Sequence, residues 1–418
     1  MNGVHGANGL HGVVHGLNGL NGLNGRCGLF WACCWLFVIL SAISCTNEEK
    51  VEVGGQKEVI AMQAYVAKTL TPRHVKTMQT RANAALLAEQ GIPDGQSFGV
   101  YAVYHSNSTW AEEYQHYYDL DPSGKTALNT SFLPNFMKNQ QVTYDALNDA
   151  YIYSPLKYWP NTPTDHVSFM AYYPYSDGGT DDVNALGVTP GWIDGLPYFH
   201  VTMKTAAAEQ VDFLVSDFLA DLSKPNIYDR VHFLFHHAFS KITFRFVAHP
   251  DILDDIANLD VSTIRITNIH TDANLFPAYD PSTKETTLAW RDHNDSYIKP
   301  YYDFQPNEFQ LLLPQELGDD SELTLSYDLT LKSRDTAFTY DGSGNPVETS
   351  TYTYHRTATI VLNTLCITNT STPLTEWLPN RHYIYTIRIG ANRIEYTGQV
   401  ASWGDEVAPP EIVLEEGS

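Results

Sequence analysis

The densest group of residues that could do chemistry consists of three histidines, His232, His236 and His237. Three imidazoles could ligate a metal ion or carry protons in acid–base catalysis. In an extended strand, however, His236 and His237 point to opposite faces, so the three rings can converge only if a bulge interrupts the strand. We therefore predict structural histidines, and neither a metal nor any other cofactor.

Other signals for chemistry are weaker. Asp119, Asp121 and Ser123 half match a calcium loop, but Thr130 stands where a bidentate glutamate is needed, so a turn is predicted. The sequence contains no nucleophile elbow, Walker loop, dinucleotide fingerprint or zinc-protease motif, so we predict that the chain is not an enzyme. A hydrolase with two distant carboxylates stays open. Four aromatic residues could stack on sugars, although loop packing is favoured: Tyr114, Tyr117, Tyr118 and Trp192.

The cysteines concentrate near the N-terminus, and of the five only Cys366, predicted to be an apolar filler in a strand, lies in the body. An apolar run at 29–40 with a small-residue end before Cys45 resembles a bacterial lipoprotein signal. Residues 1–44 are therefore predicted to be a low-complexity leader and signal peptide, and Cys45 the lipidated residue. The Glu48-Glu49 pair resembles the signal that sends Bacteroidetes lipoproteins to the cell surface. The alternative is a plain secreted protein.

Composition limits the class of protein. The chain has 418 residues and a formal net charge of −23, and such a surface repels phosphate backbones, so we predict no nucleic-acid partner. Hydrophobic residues make up 43% of the chain, which permits a large core. Tyrosine is abundant and Thr, Val and Ile segments recur, which favours β structure.

A strand with one buried face is predicted at residues 59–68. Apolar residues alternate there with period two, at Ile60, Met62, Ala64 and Val66. Pro72 ends the pattern, and residues 73–79 are polar and basic, which indicates an exposed loop. Arg81 lies at the end of that loop, where proteases could reach it. From these residues alone, a surface arginine without a role is the favoured interpretation.

Many short strands follow at spacings of roughly ten residues, which is typical of β-sandwiches. The run at 167–173 is apolar on both faces, and the segment at 323–331 alternates cleanly. The phase of alternation flips across residues 236–241, which indicates a break between two strands, so we place a domain boundary near Arg230. Residues 114–124 and 177–195 are interpreted as loops. The last residues, 404–418, form an acidic tail.

An ordered series of short motifs then resembles a known family. The motifs are Thr80-Arg81-Ala82, Phe98-Gly99-Val100-Tyr101-Ala102, Lys157-Tyr158-Trp159-Pro160, Phe169-Met170-Ala171-Tyr172-Tyr173-Pro174, Asp212-Phe213-Leu214-Val215, Phe235-His236-His237-Ala238-Phe239-Ser240-Lys241-Ile242 and Trp377-Leu378-Pro379-Asn380 with Tyr383-Ile384-Tyr385-Thr386-Ile387. Together they look like the fimbrillin family of Bacteroidales, the type V pilins, over nearly all of residues 80–403.

The resemblance implies an all-β fold with two tandem transthyretin-like Greek-key sandwiches, at 82–229 and 230–403. It implies that residues 45–81 are a lipidated propeptide. An arginine-specific protease would cut between Arg81 and Ala82, with Arg73 the rival position, and remove the first strand. The exposed groove would then accept a strand from the next subunit.

The donor in such an exchange would come from the C-terminus, at residues 394–403, through Ile394, Tyr396, Val400 and Trp403. The expected function is a shaft or tip subunit of a type V pilus that serves cell adhesion. Its expected partners are other pilin subunits, the protease, the outer membrane through the lipid anchor, and a host or bacterial surface receptor. The expected location is the outer membrane and cell surface, reached through the periplasm. The alternative is a monomeric surface lipoprotein that binds glycans or host proteins without polymerising.

Overall fold

A computed structural model of the chain describes residues 57–67, 91–120, 134–177, 188–193, 196–204, 206–224 and 230–291 and, with short gaps, 298–367 and 372–403. These residues lie within one compact unit, residues 55–418. They form strands throughout, with one α-helix, α1 (Trp110–Leu120), and short 3₁₀ turns at Ala207–Glu209, Pro250–Ile252 and Leu362–Thr364. The predicted all-β class is confirmed.

The strands are short and follow one another closely. The first ten are β1 (Met62–Val66), β2 (Ser97–His105), β3 (Met137–Asp145), β4 (Ala150–Ile152), β5 (His166–Tyr173), β6 (Val188–Ile193), β7 (Leu196–Thr202), β8 (Leu214–Ser216), β9 (Leu219–Leu222) and β10 (Val231–His237). The rest are β11 (Ser240–Ala248), β12 (Ile256–Thr267), β13 (Ile269–His270), β14 (Asp272–Asp280), β15 (Glu285–Arg291), β16 (Ile298–Lys299), β17 (Tyr302–Phe304), β18 (Phe309–Leu312), β19 (Gln315–Glu316), β20 (Glu322–Lys332), β21 (Phe338–Tyr340), β22 (Pro346–Glu348), β23 (Thr351–Val361), β24 (Glu376–Trp377), β25 (Arg381–Ile389) and β26 (Ile394–Ser402).

The first eight-stranded sheet curls back on itself. Its order is β1-β10-β8-β5-β2-β3-β4, with β9 beside β5, and β1 also lies next to β4. We call this sheet the first barrel. Its interior is a continuous apolar cluster centred on Phe98, Phe169, Phe233 and Phe235. As predicted from its sequence, β5 is buried on both faces, because the other face of the sheet packs against the remaining core.

Two four-stranded sheets face each other in the later part of the chain, in the orders β18-β11-β25-β26 and β17-β12-β20-β23. Their inner residues share one buried cluster, in which Phe244 of β11 meets Phe304 of β17 edge to face at 5.0 Å. The alternation predicted for the β20 segment is observed. A further sheet, β15-β14-β7-β6, combines early and late strands. The division into two tandem transthyretin-like sandwiches remains a prediction.

The structure corrects two sequence interpretations. Residues 114–120, expected in a loop, belong to α1, because Thr109 and Glu112 form a reciprocal cap at its start. Residues 177–195, also expected to be a loop, contain β6, whose backbone pairs with β7. The predicted break between two strands lies at Ala238 and Phe239, between β10 and β11.

Candidate functional site

Strand β1 closes the first barrel. It runs parallel to β10 over five registered pairs, from Met62 opposite Val231 to Val66 opposite Phe235. On its other side, the preceding residues bond to the segment after β4: Ile60 N donates to Lys157 O, and Trp159 N donates to Glu58 O, both at 2.9 Å. The segment that contains β1 therefore satisfies backbone groups on both flanks, and its departure would expose two unpaired edges.

Two tyrosine hydroxyls form hydrogen bonds with the flank of β1 that does not face β10. Tyr153 Oη donates to Ile60 O at 2.7 Å, and Tyr151 Oη donates to Ala64 O at 3.4 Å. Burial is the main cause that raises the pKa of both phenols. Both hydroxyls are therefore protonated at neutral pH and can donate these hydrogen bonds.

The inward face of β1 supplies four side chains that are almost completely buried: Ile60, Met62, Ala64 and Val66. They complete the cluster around Phe98 and Phe233, whose rings meet edge to face at 5.8 Å. Burying the three larger side chains stabilises the barrel by about 5–9 kcal/mol. That is comparable with the whole free energy of unfolding of a typical domain, so the barrel needs a strand in this position.

The outward face of β1 makes specific contacts that fix its register. Arg230 Nη1 donates to Gln63 Oε1 at 2.7 Å, and the Tyr65 ring stacks on His232 with centroids 5.9 Å apart. Just before the strand, Glu58 forms an ion pair with Lys224. These contacts lie on alternate residues or at the strand end, so a shift by one residue would lose all of them.

Strand β26 is the second element of the candidate site, because it is the last described strand and lies at a sheet edge. It pairs antiparallel with β25 along its length, and on its other side Gly398 N donates to Cys366 O at 2.9 Å. Ile394 and Val400 are half-buried, and Tyr396 is 37% exposed. Beyond β26, the Trp403 ring stacks on His237 of β10 with centroids 4.1 Å apart.

The three histidines at 232–237 have separate partners. His236 Nε2 lies 3.1 Å from Asp217 Oδ1, and His237 Nδ1 lies 2.6 Å from Asp212 Oδ2. His232 stacks on Tyr65 of β1. Burial alone would lower the pKa of His236, but the charge and hydrogen bond of Asp217 outweigh it and raise that pKa. The group therefore does not converge on one point.

Several predicted site residues lie outside the described residues, namely Cys45, Arg73, Arg81 and Ala82, together with most of the calcium-like segment after Leu120. Tyr114, for which packing was favoured over stacking on sugars, is half-exposed and stacks on Trp110 with ring centroids 4.9 Å apart. In the part of the chain that the structure describes, no helix is long and apolar enough to cross a membrane.

The structure also contains a serine–histidine–glutamate arrangement that the sequence did not predict. His105 Nε2 lies 3.0 Å from Ser168 Oγ, and His105 Nδ1 lies 3.0 Å from Glu113 Oε2. Burial alone would raise the pKa of Glu113, but hydrogen bonds with His105 and Ser108 lower it. Ser168 is only 1% exposed, and its Oγ also accepts Asp221 N–H, so this hydroxyl cannot attack a substrate. The three residues fasten α1 to the barrel, and their separation along the chain left no local signal.

The fold of this chain is similar to that of a solved fimbrial protein. A fimbrial protein from Bacteroides vulgatus is 17% identical and aligns with a TM-score of 0.52 over 82% of this chain and 99% of that chain. A Bacteroides uniformis protein with a proposed role in cell adhesion is 16% identical (TM-score 0.42, covering 82% of this chain and 98% of that one). The tip fimbrial protein Mfa3 from Porphyromonas gingivalis is 9% identical (TM-score 0.37, covering 83% and 100%).

The family follows from the sequence itself. The chain belongs to the fimbrillin-like family, whose model matches residues 80–403. This confirms the resemblance drawn from the ordered motifs. Among curated proteins, none matches the sequence.

Proposed function

We propose that this protein is a structural subunit of a type V pilus that serves adhesion, assembled by donor-strand exchange. Membership of the fimbrillin-like family supports a fimbrial, non-enzymatic role. In this proposal Cys45 carries the lipid anchor, the protein is exported through the periplasm to the outer-membrane surface, and an arginine-specific protease cuts after Arg81. The cut removes residues 45–81, which include β1.

The observation that carries the proposal is a match between β1 and β26. Read in the same chain direction, the inward positions of β1 are Ile60, Met62, Ala64 and Val66, and the corresponding positions of β26 are Ile394, Tyr396, Gly398 and Val400. In both series the first two side chains are large, the third is small and the fourth is of medium size. Reversing β26 would place Tyr396 at the position of Ala64, where the Tyr151 hydroxyl lies against the strand.

The energetics support an exchange of strands. A barrel that loses β1 loses a contribution of about 5–9 kcal/mol from buried apolar side chains alone. The vacated position would expose the apolar interior and the backbone edge of β10. A strand from the next subunit satisfies both at once, as in other cases of strand addition. Trp403 would leave its stack on His237 when β26 moves to a neighbour.

The test uses protein that starts at Thr46, treated with an arginine-specific protease that does not cut after lysine, with N-terminal sequencing of the product and denaturing gels of unheated samples. We expect cleavage between Arg81 and Ala82, followed by ladders of oligomers. Arg81→Ala should abolish both, whereas Arg73→Ala is the matched control and should preserve them. Ladders formed by uncut Arg81→Ala protein would overturn the proposed activation step.

A second variant separates cleavage from assembly. Protein truncated after Asn392, and therefore lacking β26, should be cut normally but should not form ladders. If the truncated protein polymerised as well as the full chain, the donor would lie elsewhere. Cut protein that stayed monomeric although β26 was intact would favour the monomeric surface lipoprotein.

A further inference from the structure

A cavity of about 440 Å³ lies among the late strands, and no residue of β1 or β26 lines it. Strands β13, β15, β19 and β24 and the residues after β24 contribute to its walls. Its size falls within the usual range of ligand pockets. Its walls include Leu288, Trp290, Glu316, Glu376 and Leu378.

One wall is a fixed aromatic ring with apolar neighbours. Trp290 is half-buried, its Nε1 donates to Ala238 O at 3.0 Å, and its ring stacks on Phe239 with centroids 6.0 Å apart. Leu288 is half-buried and Leu378 is 41% exposed. The indole is therefore held in place before any ligand arrives, and the wall suits an aliphatic stem.

Another part of the wall carries an unfavourable pair of charges. Glu316 and Glu376 are directly opposite each other in the antiparallel pair β19–β24, and both are exposed. Side chains in that relation have Cβ atoms about 4.5–5.5 Å apart, and like charges there are destabilising. Among the residues that the structure describes, neither carboxylate forms an ion pair with a lysine or arginine. A cation placed between them would remove the repulsion.

We propose that this cavity binds an ammonium or guanidinium group on an aliphatic stem, as presented by a lysine or arginine side chain of a partner protein. The two carboxylates take the charge, Leu288 and Leu378 contact the methylene groups, and the Trp290 ring adds a cation–π contact. The net charge of −23 attracts basic partners over a longer range. This binding does not depend on strand exchange.

A hard divalent cation fits the same walls poorly. Calcium takes six to eight oxygen ligands, whereas the wall offers two carboxylates and the Gln315 amide beside His270 and apolar side chains. Within the described part of the chain, no group of three or more metal-ligating side chains is suited to hold a metal ion. The apolar wall is explained by a stem and has no role around a hydrated metal.

The test measures binding of acetyl-Gly-Lys-Gly-amide to the uncut protein labelled with 5-fluorotryptophan, by ¹⁹F NMR at pH 7.5. The Trp290 resonance is assigned with Trp290→Phe and should shift saturably with the peptide. The same peptide with an acetylated lysine keeps the stem and loses the charge, so it should not shift the resonance. Glu316→Gln and Glu376→Gln should each weaken binding about three- to tenfold, whereas Glu308→Gln, at an exposed glutamate outside the cavity wall, should not.

The thermal stability of the same variants provides an independent readout. Because each substitution relieves the Glu316–Glu376 repulsion, Glu376→Gln should unfold at the same or a higher temperature than the parent while it binds more weakly. Equal binding of the acetylated peptide, or equal losses in Glu308→Gln, would overturn the proposal. Tighter binding of n-butylammonium or of calcium chloride than of the peptide would also overturn it, because the ligand would then not be a peptide side chain.

Discussion

Met62→Ala separates the role of β1 before cleavage from its role afterwards. Met62 is 1% exposed and packs inside the first barrel, so the substitution leaves a cavity. Truncating a buried methionine to alanine costs about 3 kcal/mol, which lowers the melting temperature of the uncut protein by roughly 6–12 °C. The assay is thermal unfolding followed by near-ultraviolet circular dichroism. Leu147→Ala, at a side chain that is 97% exposed, is the control and should leave the melting temperature unchanged.

The same variant is then cut and allowed to assemble. If β1 leaves with the propeptide, Met62→Ala should form ladders to the same extent as the parent, because the substituted residue is no longer in the particle. Tyr396→Ala should behave in the opposite way, since Tyr396 is 37% exposed in the uncut protein but would occupy the position of Met62 after exchange. An unchanged melting temperature in Met62→Ala would refute the barrel-closing role of β1. Equal damage to the ladders by both variants would refute its removal.

Three further predictions concern the cap, a carboxylate and the register. Thr109→Ala removes both contacts of the Thr109 hydroxyl with Glu112 and leaves only the backbone N–H of residue 109 to donate to the Glu112 carboxylate. This should cost about 1 kcal/mol and speed amide exchange in α1, while Thr109→Ser should preserve the parent behaviour. The folded-state pKa of Glu113 is lowered, so its contribution to stability is present above its unfolded pKa and lost as the pH falls through the folded value. Glu113→Gln should therefore flatten the acid limb of a stability-against-pH curve, and an unchanged acid limb would contradict this. Thr397→Cys in one copy should cross-link to His232→Cys in the next after cleavage, because Thr397 would take the place of Gln63 opposite His232. Cross-linking in uncut protein would contradict the exchange.

Local patterns of apolar residues predicted several of the strands and which of their faces are buried. The alternation at residues 60–66 and 323–331 predicted strands with one buried face, and the structure has β1 and β20 there. The unbroken apolar run in β5 predicted burial on both faces. Successive side chains of a strand point to opposite faces. Alternating apolar residues therefore indicate one buried face, and an unbroken apolar run indicates two.

What the sequence could not show is which strands pair. The parallel pairing of β1 with β10 joins residues far apart along the chain, and no local residue type encodes it. The same holds for β7 and β14, and for the approach of His105, Glu113 and Ser168. The wrong loop prediction for α1 has a different cause. Thr109 followed three residues later by Glu112 is a helix start signal that the sequence does contain. The segment was nevertheless interpreted as a loop because it is polar and rich in tyrosine.

The parallel register of β1 and β10 has a mechanical consequence. A strand of a neighbouring subunit held in the same position would be pulled along its own axis whenever the fibre is under tension. All five registered residue pairs would then be loaded together in shear, rather than one after another as when a hairpin is unzipped. Failure would require the bonds of the whole segment to break nearly at once. A short strand can in this way act as a strong tether, and the fibre would resist flow without any covalent link between its subunits.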